Sequence, residues 1–311
     1  MDYYFPRPFS RHGGNRIVSA IISSNLIKLN TFYNLNMNKT GNILTIDLEE
    51  WYHALFSQNS PSKDKQIFED RVKSTIDIVL GVLDKKDCYA TFFVLGELVN
   101  KYPEMIKRIA DDGHEIGVHG YSHKQVCEMS VEEFRHELRE CKRLIQKVLS
   151  KDPVSFRAPA FSLKLDMIWA FQVLEEEGFK FDSSIFPTLN PLYGDIKAPR
   201  EPFMKGAIKE FPPTTLNVMG LPLPVAGGFY FRAFPLALIK YGIKNCIKRE
   251  VPFMLYLHPW EFDPGHPMPI DITFRERITH YHNLVDTLKK LEYLLDRYKF
   301  TSIAEFETTD E

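Results

Sequence analysis

Glu115-Ile-Gly-Val118, running into His119-Gly-Tyr-Ser-His123, is the stretch on which the fold turns. Its first four residues are short, largely apolar and partly β-branched, the pattern of a buried strand, so His119 stands where that strand runs out into a loop. A loop there can present imidazoles to solvent. Two neutral imidazoles four residues apart can meet one divalent ion. Zinc takes such nitrogen ligands at about 2.0–2.1 Å, and a catalytic site keeps a position open for water. The spacing alone is weak, since two solvated loop histidines satisfy it equally.

Working outward, the alternation of strand and helix repeats. Ile43-Leu-Thr-Ile46 reads as a buried strand ending at Asp47, and Ile67/Phe68, Val72, Ile76, Val79/Leu80 and Leu83 then recur at helical spacing up to Lys86. Tyr89-Ala-Thr-Phe-Phe-Val94 is the next strand; Pro103 opens a helix through Ala110, with Gly113 as its stop. Ser130-x-x-Glu133 is a capping box, and Phe134, Leu138, Cys141, Leu144/Ile145 and Val148 form the apolar face of the helix behind it. Val154-Ser-Phe156 leads to Arg157, a helix from Leu165 through Leu174 stops at Gly178, and Phe179-Lys-Phe181 ends at Asp182. Pro235 starts a helix through Ile247, and Phe253-Met-Leu-Tyr-Leu257 runs into His258. A second capping box, Thr273-x-x-Glu276, opens a long C-terminal helix at about 274–298.

Such alternation predicts a parallel sheet covered by helices, which an open doubly wound sheet or a closed barrel would satisfy. Asp47, His119, Arg157, Asp182 and His258 each follow a predicted strand. In a βα barrel those strand ends share the face that carries chemistry. From Phe186 to Phe234 the pattern breaks among dispersed prolines, which exclude a long helix and confine strands to edges. We read about 186–234 as a long, mostly irregular, Pro-rich insertion with short strands that could wall a groove.

The bulk numbers narrow the classes. At 311 residues and 44% hydrophobic, the chain can bury a substantial core in one large domain. With 39 Lys+Arg against 41 Asp+Glu, its charge suggests no nucleic-acid partner. Cys88, Cys127, Cys141 and Cys246 contain no Cys-x-x-Cys pair, which favours free thiols over a zinc ribbon or redox motif. Ile17-Val-Ser-Ala-Ile-Ile22 is apolar but is interrupted by Ser23, Ser24 and Asn25, and it is too short to span a bilayer. Residues 1–36 are expected to be an extension, poorly ordered or not native, with a weak amphipathic anchor as the alternative. Residues 37–311 are expected to form a single catalytic domain. No stable membrane insertion is expected, and the cytoplasm is favoured, with peripheral membrane attachment as the variant.

Residues two apart on a strand face the same side, so Asp47 and Glu49 can reach one site while Leu48 faces away. A carboxylate added to His119 and His123 completes a catalytic-type ligand set. Glu49 fits, with Glu50 an open alternative and a simple helix cap the bland reading. Asp47 could then act as general base. Arg157 near it would orient that carboxylate, unless it makes only a surface ion pair. His258 could serve as general acid, with Asp182 orienting it, although a lone histidine at a strand end is usually structural. Trp51, His53, Trp260 and Tyr230 are candidates for a sugar-stacking surface, with core packing as the default.

Together, Thr45-Ile-Asp47-Leu-Glu49-Glu50-Trp51-Tyr-His53, Thr91-Phe-Phe93, His119-Gly-Tyr-Ser-His123, Phe156-Arg157-Ala-Pro159, Asp182-Ser-Ser184 and His258-Pro-Trp-Glu261 resemble the NodB-homology polysaccharide deacetylases, carbohydrate esterase family 4. The likeness runs from about residue 42 to 265 and is nearest the branch linked with exopolysaccharide biosynthesis. It implies a distorted (β/α)7-type barrel and metal-dependent removal of acetyl groups from N-acetylated oligo- or polysaccharides, with zinc the expected metal and cobalt an alternative. It also implies Asp47 as base, Glu49, His119 and His123 as metal ligands, Arg157 as the tether of the base, His258 as acid and Asp182 as its tuner. Two departures are visible: Asp-x-Glu replaces the usual Asp-Asp, and Ala160-Phe161 follows Pro159 where an aromatic-glycine pair is usual. The oxyanion donor is therefore unassigned, with backbone N–H groups after Pro159 as candidates. Rival readings are a related hydrolase of small cyclic or linear amides and a non-catalytic carbohydrate-binding relative.

Overall fold

β1 (Asn42–Leu48) is buried along its whole length, as a parallel strand covered on both faces must be. The computed structural model describes residues 41–53, 69–190, 193–269 and 272–309. The expected extension at 1–36 and the helix start at Ile67/Phe68 lie outside them. To one side of β1 follow β2 (Thr91–Val94), β3 (Glu115–Val118), β4 (Ser155–Phe156), β5 (Phe181–Asp182) and β7 (Ile208–Glu210), with β6 (Phe203–Lys205) antiparallel to β7 at the outer edge. β8 (Thr215–Val218) and β9 (Leu221–Pro224) make a separate hairpin, and β10 (Met254–Leu257) flanks β1 on its other side. β11 (Phe300–Thr301) pairs with Asn42 and Ile43 ahead of β2.

The seven strands β10-β1-β2-β3-β4-β5-β7 all run parallel. They curl strongly. In a flat sheet β4 and β1 would lie roughly 14 Å apart at about 4.8 Å per strand, yet Arg157 beyond β4 touches Asp47 at 2.6 Å and Thr45 at 2.8 Å. Between β7 and β10 a single residue bridges the seam. Thr214 N–H donates to Met254 O at 3.3 Å, and Met254 N–H donates to Thr214 Oγ1 at 2.8 Å. The result is the distorted, incompletely closed seven-stranded barrel that the resemblance implies.

The helices that cover the barrel are α1 (Val72–Lys85), α2 (Gly96–Lys101), α3 (Pro103–Asp111), α4 (Val131–Leu149), α5 (Ile168–Glu176), α6 (Gly228–Ala233), α7 (Leu236–Lys248), α8 (Phe274–Tyr281), α9 (Thr287–Leu295) and α10 (Ile303–Thr309). Both predicted capping boxes form, at Ser130/Glu133 and Thr273/Glu276. Each is worth about 1 kcal/mol of helix stability. Inside the barrel, Ile43, Phe93, Phe211 and Met254 pack with Ile303 and Phe306 of α10. None of the described helices is long and apolar enough to cross a membrane.

Two expectations are corrected. The long C-terminal helix is broken: Asn283 takes a left-handed conformation (φ 51°), which separates α8 from a short turn at Leu284–Asp286 and from α9. The short strands expected in the Pro-rich segment are there as β6 and the β8–β9 hairpin, but the segment is not only an insertion, because it also contains β7, a barrel strand, and all of α6. Ile208-Lys-Glu210 carries little strand signal, because it is short and two of its three residues are charged.

Candidate active site

β1 delivers two carboxylates to the barrel mouth by simple alternation. Ile43 and Thr45 face the interior, so Asp47 and Glu49 follow them there, and Glu50 turns outward. The position of Glu50 removes it as a ligand candidate: its two oxygens accept the Arg71 and Val72 N–H groups, each at 3.0 Å, and so cap α1. Glu49, by contrast, lies with His119 and His123 in a cluster whose donor atoms are within 4.8 Å of one another.

The histidine pair is held from several sides. His119 N–H continues the ladder to Val94 O, and its Nδ1 donates to Arg157 O at 2.8 Å, which leaves the Nε2 lone pair for the cluster. Burial, partly offset by nearby Asp47 and Glu49, pushes His119 down to about 4, so the ring is neutral at physiological pH. Gly120 turns the chain at φ +77°, in the left-handed region open to glycine. The carbonyls of Gly120 and Tyr121 accept from the first N–H groups of α2, and Tyr121 N–H donates to Glu137 of α4. His123, also left-handed (φ 63°), brings Nε2 to 2.8 Å from Glu49 Oε2. His53 stacks on His123 at 5.8 Å; its Nδ1 accepts from Glu50 N–H and its Nε2 meets Glu97 at 2.6 Å. Burial alone would raise the Glu49 carboxyl, but His123, His258 and His119 together bring it below its ordinary range. Two imidazoles, one with its far nitrogen on a carbonyl, and one buried carboxylate fit a divalent ion in donor chemistry and in outer-shell support.

Arg157 sits beneath this cluster, fully buried. Nη1 bridges Asp47 Oδ1 and Thr45 Oγ1; Nε and Nη2 take Ser183 O at 2.9 Å and Ser183 Oγ at 2.6 Å. Its plane lies over Phe93 at 4.5 Å. One oxygen of Asp47 is thus fixed and the other faces His258 Nε2 at 3.8 Å.

His258 does not meet Asp182, contrary to the sequence reading. Its Nδ1 donates to Glu261 Oε1 at 2.6 Å, across the turn that Pro259 begins. Burial lowers the imidazole, but Glu261, Glu49 and Asp47 overcome this and raise it to about 9. Asp182 is displaced by strand parity: it is in register with Phe156 and Glu210, and Phe156 packs outward on Phe134 of α4. The next residue, Ser183, is the one that faces inward to Arg157. Asp182 instead accepts from Ser184 Oγ, which in turn accepts Ala158 N–H at 2.7 Å, so it supports the arginine loop from outside. Burial pushes Asp182 up to about 6 and Glu210 beside it well above its usual range, with Asp182 also raising Glu210.

A cavity of about 210 Å³ opens over these groups, walled by Phe161, Tyr193, Phe229 and Tyr256. Trp260 borders it and donates Nε1–H to Glu49 Oε1 at 3.1 Å. Of the aromatic candidates, Trp51 and His53 are buried and Tyr230 packs against Phe186. At the rim, Ala160 and Phe161 are both left-handed (φ 53° and 50°). Phe161 and Ser162 commit their N–H groups to Ala158 O and Pro159 O, and the Ala160 N–H has no partner among the described residues.

Residues 63–179 match the family model described as polysaccharide deacetylase. That segment is similar to the polysaccharide deacetylases. Residues 183–307 match a second model, described as a domain of unknown function (DUF3473). Asp47 and Glu49 precede both matched segments. A peptidoglycan-N-acetylglucosamine deacetylase of Bacillus cereus is 35% identical over 81 residues, covering 26% of this chain and 30% of that protein. The peptidoglycan-N-acetylmuramic acid deacetylase PdaC of Bacillus subtilis is 35% identical over 86 residues, covering 28% and 18%. The chain therefore spans under a third of the length of these curated relatives. A crystal structure from Mycobacterium smegmatis, assigned to the polysaccharide deacetylases, superposes with a TM-score of 0.57 at 18% identity, over 86% of this chain and 90% of that one. That likeness supports the fold.

Proposed function

We propose that this protein is a metal-dependent hydrolase that removes N-acetyl groups from an N-acetylated sugar polymer or its precursor. The observation that carries the reading is the division of labour at one cavity: Glu49, His119 and His123 form a donor set, while Asp47, held by Arg157, is a separate carboxylate facing His258. Names of relatives that remove acetyl groups from peptidoglycan sugars support the reaction class.

Zinc, or cobalt in its place, held by Glu49, His119 and His123, would polarise the acetamide carbonyl and acidify an adjacent water. Asp47 accepts a proton from the attacking water as its oxygen bonds to the carbonyl carbon. The Ala160 N–H, unpaired among the described residues and belonging to a residue that lines the cavity, is the proposed donor to the oxyanion. His258 donates its proton to the nitrogen as the C–N bond breaks, giving acetate and a free amine. The cavity is smaller than the about 300–1,000 Å³ of sites that enclose drug-sized ligands, so it suits an acetamido group and the ring that bears it, with Tyr193 and Phe229 offering faces for stacking.

The test is acetate release from N-acetylglucosamine oligomers by chelator-stripped protein, with and without Zn²⁺ or Co²⁺. Release restored by metal is the expected result. Silence with metal bound, together with hydrolysis of a small cyclic imide, would replace this reading with the small-amide one.

A further inference from the structure

The segment matched by the model of unknown function contains a buried cation that the proposed chemistry does not use. Arg232, in α6, is 1% exposed. Nη1 donates to His280 O at 2.8 Å and His282 O at 2.7 Å, and Nη2 donates to Thr279 O at 2.6 Å. These are carbonyls at the C-terminal end of α8, where the helix dipole favours a positive charge. The return contacts are as specific. Asn283 Nδ2 donates to Arg232 O at 3.0 Å, and Lys290 Nζ donates to Arg232 O at 2.7 Å and Phe234 O at 3.0 Å. The ends of α6 and α8 thus hold each other.

One group of Arg232 points elsewhere. Nε forms an ion pair with Glu261 Oε2 at 3.3 Å, while Glu261 Oε1 holds His258 Nδ1 at 2.6 Å. Glu261 is fully buried and divides its two oxygens between the arginine and the histidine. Trp260 fills the space between: His258 stacks on it at 5.0 Å, His280 at 3.9 Å, and Arg232 lies over it at 5.5 Å. A buried arginine costs several kcal/mol unless it is fully paired, and here its partners lead in one direction to α8 and in the other to the imidazole at the cavity.

We propose that Arg232 is a positioning residue for proton donation: through Glu261 it fixes the His258 ring to α6 and α8, which makes the 183–307 segment the scaffold of the general acid. The inference rests on the deacetylase reading. A displacement of about 1 Å in such a group is enough to cost on the order of 100-fold in rate.

The test compares two substrates on metal-loaded protein: an N-acetylated amino sugar, whose amine must be protonated to leave, and an activated aryl acetate ester, whose phenolate leaves without a proton. Arg232→Met should lower the ratio of acetamide to ester turnover by about 10–100-fold, within the range of a general acid's contribution, with KM for the sugar nearly constant and metal per chain unchanged. Should that variant not fold, Glu261→Gln carries the same comparison. Equal loss on both substrates, or loss of metal, would reduce Arg232 to a structural cap and overturn the inference. Wild-type protein inactive on the acetamide while metal-loaded would instead sink the deacetylase reading itself.

Discussion

The part of the barrel before Gly178 and the part after Asp182 reach the same cavity by different means. In the first, Asp47, Glu49, His119, His123 and Arg157 stand at or just beyond strand ends and contact one another directly. In the second, His258 alone stands at a strand end, and its geometry is set by Glu261, Arg232 and two helix ends spread over about fifty residues of chain. The contrast follows from the chemistry. Donors for one ion must converge within a few ångströms, so short strand-end motifs suffice. A proton donor must be aimed, and aiming needs a rigid outer frame.

The sharpest way to break that comparison lies in the first part. His119→Ala should lose bound metal and reduce acetate release to background, whereas Asp47→Asn should lose about 10²–10⁴-fold in turnover, the range of a general base, with metal per chain retained. Metal analysis beside initial rates checks both; metal lost from Asp47→Asn would put Asp47 among the ligands and take away its separate role as base.

A smaller effect sharpens the second part. His258 is raised to about 9, first against burial and then chiefly by Glu261, so it holds its proton through neutral pH and releases it in the alkaline range. Glu261→Gln removes the anionic partner, and the alkaline limb of the kcat/KM profile should move to lower pH. An unmoved limb would show that Glu261 does not govern this proton.

The smallest expected effect concerns stability. Burial raises both Asp182 and Glu210, so the folded chain keeps protons that the unfolded chain releases near pH 4. That contribution is full below the unfolded pKa and is lost as pH rises through about 6. Glu210→Gln, which keeps an acceptor for Ile185 N–H, should therefore gain Tm relative to wild type as pH increases. The gain should be about 2–4 °C per kcal/mol relieved. A difference in Tm that is constant from pH 4.5 to 8 would contradict it.

The legible and illegible parts of the site divide along the same line. Continuous apolar runs such as Ile43–Ile46 and Met254–Leu257 announce buried parallel strands, and His119 and His123 announce themselves by spacing. Parity from Asp47 favours Glu49 over Glu50, and what closes the choice is the capping of α1 by Glu50, which the sequence does not display; for Asp182 even parity is hidden, since a run buried on both faces carries no alternation to show which residue points inward. Glu261 was within the quoted His258-Pro-Trp-Glu261 motif, and a turn opened by proline would have brought it back to His258. Arg232 has no local signal, because every partner of its guanidinium lies well outside α6.

The pairing of β1 also orders events in time. Its first edge neighbour in the chain, β2, is nearby, but the other edge waits for β10, whose Met254 lies opposite Ile43. At about 5–20 residues per second of synthesis, that wait is roughly 10–40 s. Throughout it, Ile43–Ile46 presents an apolar strand with an unmatched edge, a template for pairing between nascent chains. The strand that closes this edge is the one that runs into His258. The growing polypeptide therefore covers this open edge, and acquires its proposed proton donor, at the same step.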